Sequence, residues 1–357
     1  MSPTSSTNLT IIGIDLAKRV FHVHGAAADG TVLFRKKLSR SKVLPFFSGQ
    51  LPCIVAMEAC ASAHYWAREF AKVGHTIRMI PPIYVKPFVK RQKNDVNDAE
   101  AIVEAASRPT MTFVAHKTEE QQARAMAFRA RDILVHQRTQ LINSLRGLLA
   151  EFGVVAPLGR ANIKILCDEL HDPRSTLPDE VIEVGQLMLD QIDRCQDKAK
   201  ALEQKNREIA KTDINAKRLM TIPGVGPITA MAVQAFAPDL KTFENGRHFS
   251  AWLGLVPRQK STGGRSILGR TSKMGQRDIR RLLVIGATSV IKAVTIKGAM
   301  PGTWLARMLA SKPKKLVAFA LANKMARMIW AITTKEEGYR KPSPIRNSQG
   351  ETVAMAV

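Results

Sequence analysis

Hydrophobic and polar positions come in short blocks over the first eighty residues, and then the period changes. Ile11-Ile12-Gly13-Ile14 is a brief, Ile-rich apolar run that stops at one carboxylate, Asp15. Its length and β-branched content predict a buried strand. Alternation continues through Phe21-His22-Val23-His24-Gly25, Ala28-Asp29-Gly30 marks a turn, and residues 31–38 read as a third strand. Cys53-Ile54-Val55-Ala56-Met57-Glu58 repeats the opening device, an apolar strand ended by an acid. A helical stretch over 64–73 and a short strand over 76–80 follow. This order predicts an α/β layout with a mixed sheet.

Beyond residue 118 the spacing becomes helical. Residues 119–152 place Ala127, Leu134, Leu141, Leu145, Leu148 and Leu149 on one period, and 178–212 do the same with Val181, Val184, Leu187, Leu189, Ile192, Leu202 and Ile209. Two long helices, with a Gly- and Pro-broken connector over 153–178, predict a coiled-coil-like arm for oligomerisation; a plain helical spacer is the alternative. Ile222-Pro223-Gly224-Val225-Gly226-Pro227 reads as a tight turn between helices. Either it is a helix-hairpin-helix, with Gly224 and Gly226 offering backbone N–H groups to a DNA phosphate, or it is an ordinary αα-hairpin. Residues 304–334 are helical, split by Pro313, and their Met and aromatic residues form a packing face. The predicted layout is an α/β domain over 9–115, the helical arm over 116–214 and a mainly α domain over 215–334, with disorder at 1–8 and 335–357.

Charge narrows the function. The chain carries a net charge of +24 and a pI near 10.3, so it seeks polyanions, most simply nucleic acid. Aromatic residues make up 6%, too few for base stacking to be the main mode of reading. The basic excess is not gathered on one amphipathic helix, and no apolar stretch is long and clean enough for a bilayer, so no membrane partner is expected. Cys53, Cys60, Cys167 and Cys195 are scattered without a CxxC pair, which favours core thiols over zinc or disulfides. The start does not resemble a signal peptide, and an intracellular, cytoplasmic protein is expected.

Two constellations carry chemistry. A carboxylate at the end of a buried strand needs a cation, a proton or hydrogen bonds, and both Asp15 and Glu58 are in that position. Asp95 and Asp98 lie three apart at a helix start, on one face. Helix capping explains that pair equally well when it is taken alone. As a set, the four acids match the RNase H-like nuclease layout, with hard oxygen ligands for Mg²⁺ or Mn²⁺. Lys18, Lys90, Arg91 and Lys93 flank them and are placed to hold a phosphate backbone. His22, His24 and His64 read as sheet or surface residues rather than ligands. The second constellation is a Gly-, Ser- and Arg/Lys-rich loop with Lys260, Ser261, Gly263, Gly264, Arg265, Ser266, Arg270 and Lys273. It leads into a basic helix with Arg277, Arg280 and Arg281. Such a loop can embrace a phosphate. On spacing alone, a phosphate-binding serine is favoured over one that attacks phosphorus.

With these residues in place, the chain resembles the DEDD transposases of the IS110 insertion-sequence family, and most of all its IS1111 sub-group. Gly13-Ile14-Asp15-Leu16-Ala17-Lys18, Met57-Glu58-Ala59-Cys60 and Lys93-Asn94-Asp95-Val96-Asn97-Asp98-Ala99 carry the likeness in the N-terminal part. Ile222-Pro223-Gly224-Val225-Gly226, Ala251-Trp252-Leu253-Gly254-Leu255-Val256-Pro257 and Ser261-Thr262-Gly263-Gly264 carry it in the C-terminal part. The resemblance implies that Asp15, Glu58, Asp95 and Asp98 form the DEDD metal site of an RNase H-like domain. It also implies a serine nucleophile, Ser261 with Ser266 in reserve, that links covalently to DNA. The active site would then be composite, shared between protomers of a tetramer. The implied partners are donor and target duplex DNA and a structured non-coding bridge RNA that pairs with both. Three other classes compete. An actin-like ATPase also begins Ile-Gly-Ile-Asp-Leu but continues with Gly and Ser/Thr, unlike Ala17-Lys18-Arg19. A Holliday-junction resolvase would use the same acids without Ser261. An architectural DNA-binding protein leaves the four acids unexplained.

Overall fold

The fold is taken from a computed structural model of the chain, which describes residues 9–90, 95–340, 345–346 and 352–353. Two compact units divide between Glu120 and Gln121.

The first unit is built on a five-stranded sheet. Its strands are β1 (Leu9–Asp15), β2 (Val20–Ala27), β3 (Val32–Ser39), β4 (Ile54–Glu58) and β5 (Thr76–Ile80), in the order β3-β2-β1-β4-β5. β1, β2 and β3 run as an antiparallel meander, and β4 and β5 are parallel to β1. The predicted mixed sheet is present. β1 is apolar and buried over residues 11–14, because both of its faces are covered there. Ile12 and Ile14 join Phe21, Val55, Met57, Trp66 and Phe70 beneath α1 (Arg40–Ser48) and α2 (Ala63–Lys72). Ile11 joins Ala56, Ile80, Ile102 and Val103 on the other face, with the single-turn α3 (Pro82–Val85) and with α4 (Asp95–Ala106). Helix α1 does not appear in the sequence-based layout.

Gly13 sets how closely α4 approaches. A Cβ at Gly13 would sit 2.5 Å from the Ala99 carbonyl oxygen and 2.6 Å from Val103 Cγ2. Only a hydrogen fits between β1 and the helix backbone, so α4 is seated directly on the central strand.

The second unit is mostly helical. Helix α5 (Glu119–Ala150) starts at the boundary and is followed by α6 (Ile163–His171), α7 (Asp179–Thr212), α8 (Ile214–Met220), α9 (Pro227–Phe236) and α10 (Gly246–Trp252). Next come a hairpin of β6 (Pro257–Thr262) and β7 (Arg265–Thr271), then α11 (Arg277–Lys297), α12 (Trp304–Ser311) and α13 (Lys314–Lys335). Helices α5 and α7 run antiparallel. Ala125, Phe128 and Ala210 are buried in the main core, and Ile142, Leu145, Leu149, Leu189 and Ile192 pack with Leu166 and Leu170 of α6 in a second core. Between the two cores Arg131 pairs with Glu203, and Arg138 donates to Gln196 at 2.8 Å. The apolar stripe of each long helix therefore finds much of its partner inside the chain. Leu148, Val155, Leu158 and Leu187 stay exposed.

Among the described residues, α13 is long and apolar enough to cross a membrane. It is the central helix of the main core, with Val317, Leu321, Met325 and Ile329 buried against α10 and α11. Expected disorder over 1–8 falls outside the described residues, as does most of the tail. Within the tail, β8 (Ile345–Arg346) pairs with β9 (Thr352–Val353).

Candidate metal centre and nucleic-acid interface

The parallel pairing of β1 with β4 ends at Ile14 and Met57. Asp15 and Glu58 are the next residues on each strand, so the two carboxylates leave the sheet side by side at its carboxyl end. Ligands of open α/β sheets bind at that end. Helix α4, seated on Gly13, brings Asp98 to the same place, and the electrostatics report this convergence. Glu58 is half-buried, and its pKa is raised, first by burial and then by the charges of Asp15 and Asp98. The Cys60 thiol is raised as well, by burial and then by Glu58 and Asp15. Like charges held together at a partly dry site are relieved by a cation, and oxygen donors suit Mg²⁺. That frustration is the fit between these residues and a divalent ion. Among the described residues, no three acidic, His or Cys side chains converge closely enough to hold a metal as they stand. The Asp95 side chain, Arg91 and Lys93 lie outside the described residues. Lys90 is described, and it bonds Glu100 at 2.5 Å, a carboxylate that Arg35 also holds. Lys18 is exposed.

His24 lies buried in the sheet, and burial lowers its pKa. His64 accepts the backbone N–H of Lys117 at 3.2 Å.

The basic loop is a hairpin. Gly263 and Gly264 have φ of +55° and +77°, and they are the two central residues between Thr262 and Arg265. Positive φ at both positions is the two-residue turn whose twist suits antiparallel strands. Gly-Gly between polar and β-branched runs is a hairpin signal in the sequence itself. Ser261 and Ser266 are direct cross-strand partners. The Gln259 side-chain amide donates to both hydroxyls, at 3.0 and 3.2 Å. Every residue from 257 to 270 is exposed, including Lys260, Arg265 and Arg270. Lys273 and Arg277 are exposed too.

Two arginines of the adjoining helix make contacts within the fold. Arg280 donates to the Leu253 carbonyl at 2.9 Å and holds the segment before the hairpin. Arg281 donates to Asp132 of α5 at 2.6 Å. Burial pushes the Asp132 carboxyl up, but Arg281 and Arg131 outweigh it and leave its pKa lowered. A basic helix face read from sequence is thus divided between packing and exposure, which spacing alone does not separate.

The turn between α8 and α9 is similarly divided. Gly224 has a φ of +86° and packs on α11, where a Cβ would lie 2.9 Å from the Gly286 carbonyl oxygen. Gly226, at the uncapped start of α9, faces open space.

Comparison with known proteins places this geometry. Residues 12–153 match the DEDD family described as Transposase, and residues 216–299 match the Transposase IS116/IS110/IS902 family. A Pseudomonas aeruginosa protein described as a probable family 20 transposase is 46% identical over 335 residues, covering 93% of this chain and 99% of that one. The chain belongs to the IS110 family of insertion-sequence transposases. The transposase for insertion sequence element IS1328 of Yersinia enterocolitica is 40% identical over 336 residues, 94% of this transposase and 99% of its own length. That for IS1111A of Coxiella burnetii is 36% identical over 337 residues, 94% of this chain and 93% of its own. The transposase is therefore a DNA-processing enzyme. The two family matches cover the segments that carry the acids and the α8–α9 turn; the serine hairpin falls within the second.

Proposed function

We propose that this transposase cuts and exchanges DNA strands through a covalent serine–DNA intermediate, at a divalent-metal site, guided by a structured RNA from its own element. The observation that carries the reading is the placement of Asp15, Glu58 and Asp98 within electrostatic reach of one another at the carboxyl end of a β3-β2-β1-β4-β5 sheet. That strand order, with an antiparallel meander and two parallel strands, supports an RNase H-like domain. Asp15, Glu58, Asp95 and Asp98 would hold the ion. Bound Mg²⁺ or Mn²⁺ supplies positive charge to the oxygens of the scissile phosphate.

The other steps belong to the chain's own groups. Ser261 Oγ attacks phosphorus; the Oγ–P bond forms, the P–O bond to the departing sugar breaks, and the serine proton ends on the freed hydroxyl. A phosphoserine diester keeps the bond energy, so a second hydroxyl can reverse the step on a new strand without ATP. Among the described residues, Gln259 is the partner of both serines, and an amide is not a base. The base or metal that activates the serine must come from elsewhere. This supports a composite site, in which the acids of one protomer meet the hairpin of another within a tetramer. The α8–α9 turn as a helix-hairpin-helix with Gly226 on a DNA phosphate, and α5–α7 as an oligomerisation arm, complete the proposal. Duplex DNA and bridge RNA share the basic surface, in the bacterial cytoplasm.

The test incubates the protein with its flanking element RNA, Mg²⁺ and labelled donor and target DNA, and resolves products under denaturing conditions. A protein–DNA adduct in the wild type that is lost in Ser261→Ala but kept in Ser266→Ala supports the reading. Loss only in Ser266→Ala moves the nucleophile one cross-strand position. Cleaved DNA without an adduct in any protein replaces it with a metal-only resolvase.

A further inference from the structure

The carboxylates are not the only feature at this end of the sheet. The chain segments that leave β1 and β4 also wall a cleft of about 590 Å³. Lys18 and Arg19 come from the loop after Asp15, Arg40 and Ser41 from the start of α1, and Tyr65 and Trp66 from the first turn of α2. The cleft has a consistent chemistry. Three cations line it, and no acidic side chain is among its lining residues. Ser39 and Ser41 place two hydroxyls 3.4 Å apart on its rim. Neither α1 nor α2 has an acid in its first turn or a side-chain cap, so both positive helix ends remain uncompensated there. Arg40 lies 5.2 Å over the Trp66 ring and is held in place by it. Trp66 is 3% exposed, and its indole N–H has no hydrogen-bond partner among the described residues. A buried donor without an acceptor is costly and marks a wall that is incomplete. Beside it Tyr65 is 42% exposed, an aromatic face open to solvent.

We infer that this cleft binds a phosphodiester of an unpaired nucleic-acid strand, with Arg19, Arg40 and Ser41 on the phosphate and Tyr65 against a neighbouring base. The inference rests on the proposed function and extends it, because it gives the strand a seat beside the acids. Lys18 follows Asp15 by three residues, at most about 11 Å of chain, which is the rise of about three nucleotides. A strand seated in the cleft reaches the carboxylates without leaving the surface of the first unit. Phosphate contacts fix register and aromatic stacking tolerates any base, so the seat positions the strand and leaves sequence choice to base pairing.

The experiment measures binding of a labelled twelve-nucleotide strand to the full chain by fluorescence anisotropy across a salt series. DNA and RNA versions of the strand run as separate arms. The proteins are wild type, Arg19→Ala, Tyr65→Ala, Tyr65→Phe, Asp15→Asn and, as a charge control within the second unit, Lys211→Ala. Arg19→Ala should weaken binding about three- to tenfold and lower the salt slope by about 0.7, one single-strand phosphate contact. Tyr65→Ala should weaken it about tenfold with the slope unchanged, and Tyr65→Phe should restore it, because stacking needs the ring and not the hydroxyl. The arm that binds more tightly identifies which strand occupies the cleft. Wild-type affinity in both Arg19→Ala and Tyr65→Ala, or an equal loss in Lys211→Ala, overturns the inference. Asp15→Asn separates the two claims. If it keeps the strand but loses cleavage, both stand. If wild type binds through Arg19 and Tyr65 but never cuts DNA, the cleft stands and the proposed chemistry falls.

Discussion

Gly13→Ala is the sharpest probe of how the fold delivers its third carboxylate. The added methyl would meet the Ala99 carbonyl oxygen at 2.5 Å and Val103 Cγ2 at 2.6 Å. Val103 can turn its side chain, but Ala99 presents helix backbone. Ordinary contact needs about 3.5–4 Å, so α4 must lift by about 1 Å. Overpacking of this kind costs about 1–3 kcal/mol. For a small domain that is about 4–8 °C per kcal/mol, so calorimetry of the full chain should show melting of the first unit lowered by roughly 4–24 °C. The same lift moves Asp98 away from Asp15 and Glu58, and a misplacement of about 1 Å can cost about a hundredfold in rate. The control is Gly147→Ala within α5, where a Cβ meets nothing within 4 Å. There the substitution should stabilise by about 0.5–1 kcal/mol, through helix propensity alone. If Gly13→Ala melts and cleaves like wild type, the seating of α4 on β1 does not position Asp98.

Three further outcomes follow from the same geometry. The Glu58 pKa lies above its ordinary 4.5, so just above pH 4.5 this group binds more proton in the native than in the unfolded chain, and its contribution to stability falls as pH rises through that window; in divalent-free buffer wild type should lose stability relative to Glu58→Gln across it, and parallel profiles would refute the raised pKa. Asp132→Ala leaves Arg131 and Arg281 without their shared carboxylate and should cost about 1–2 kcal/mol by urea unfolding, below the cost of a fully buried pair because these side chains are 25–38% exposed. Gly286→Ala, despite better helix propensity, drives a methyl into the Gly224 carbonyl and should destabilise the second unit by about 1–3 kcal/mol in the same assay, whereas a gain would show that the turn can move aside.

β1 and β4 were legible because burial on both faces leaves a continuous apolar run, and Asp15 and Glu58 stood out because each ends one. The long helices were legible from period alone. Helix α1 was not: Pro45 lies inside it, and its buried face is little more than Val43 and Phe47. Asp95 and Asp98 could be read as a pair, but what carries Asp98 to Asp15 is the absence of a side chain at Gly13, a contact between residues 86 apart. The hairpin was announced by Gly263-Gly264 and hidden by its charge, since strands without an apolar face lack the usual period. The opposite fates of Arg277 and Arg281 depend on Asp132, 149 residues upstream of Arg281, and no local pattern records that.

The β6–β7 hairpin contributes nothing to either core, and this determines how its sequence can change over time. Residues 257–270 are all exposed, so a substitution there leaves folding almost untouched, apart from the two glycines that need positive φ. Selection on stability is nearly silent along this stretch. Drift or constancy at Lys260, Arg265, Ile267 and Arg270 instead registers what presses against the hairpin from outside. Among related elements, the variation of these few positions would then record the partner that meets the hairpin, on a stretch that folding leaves free to change.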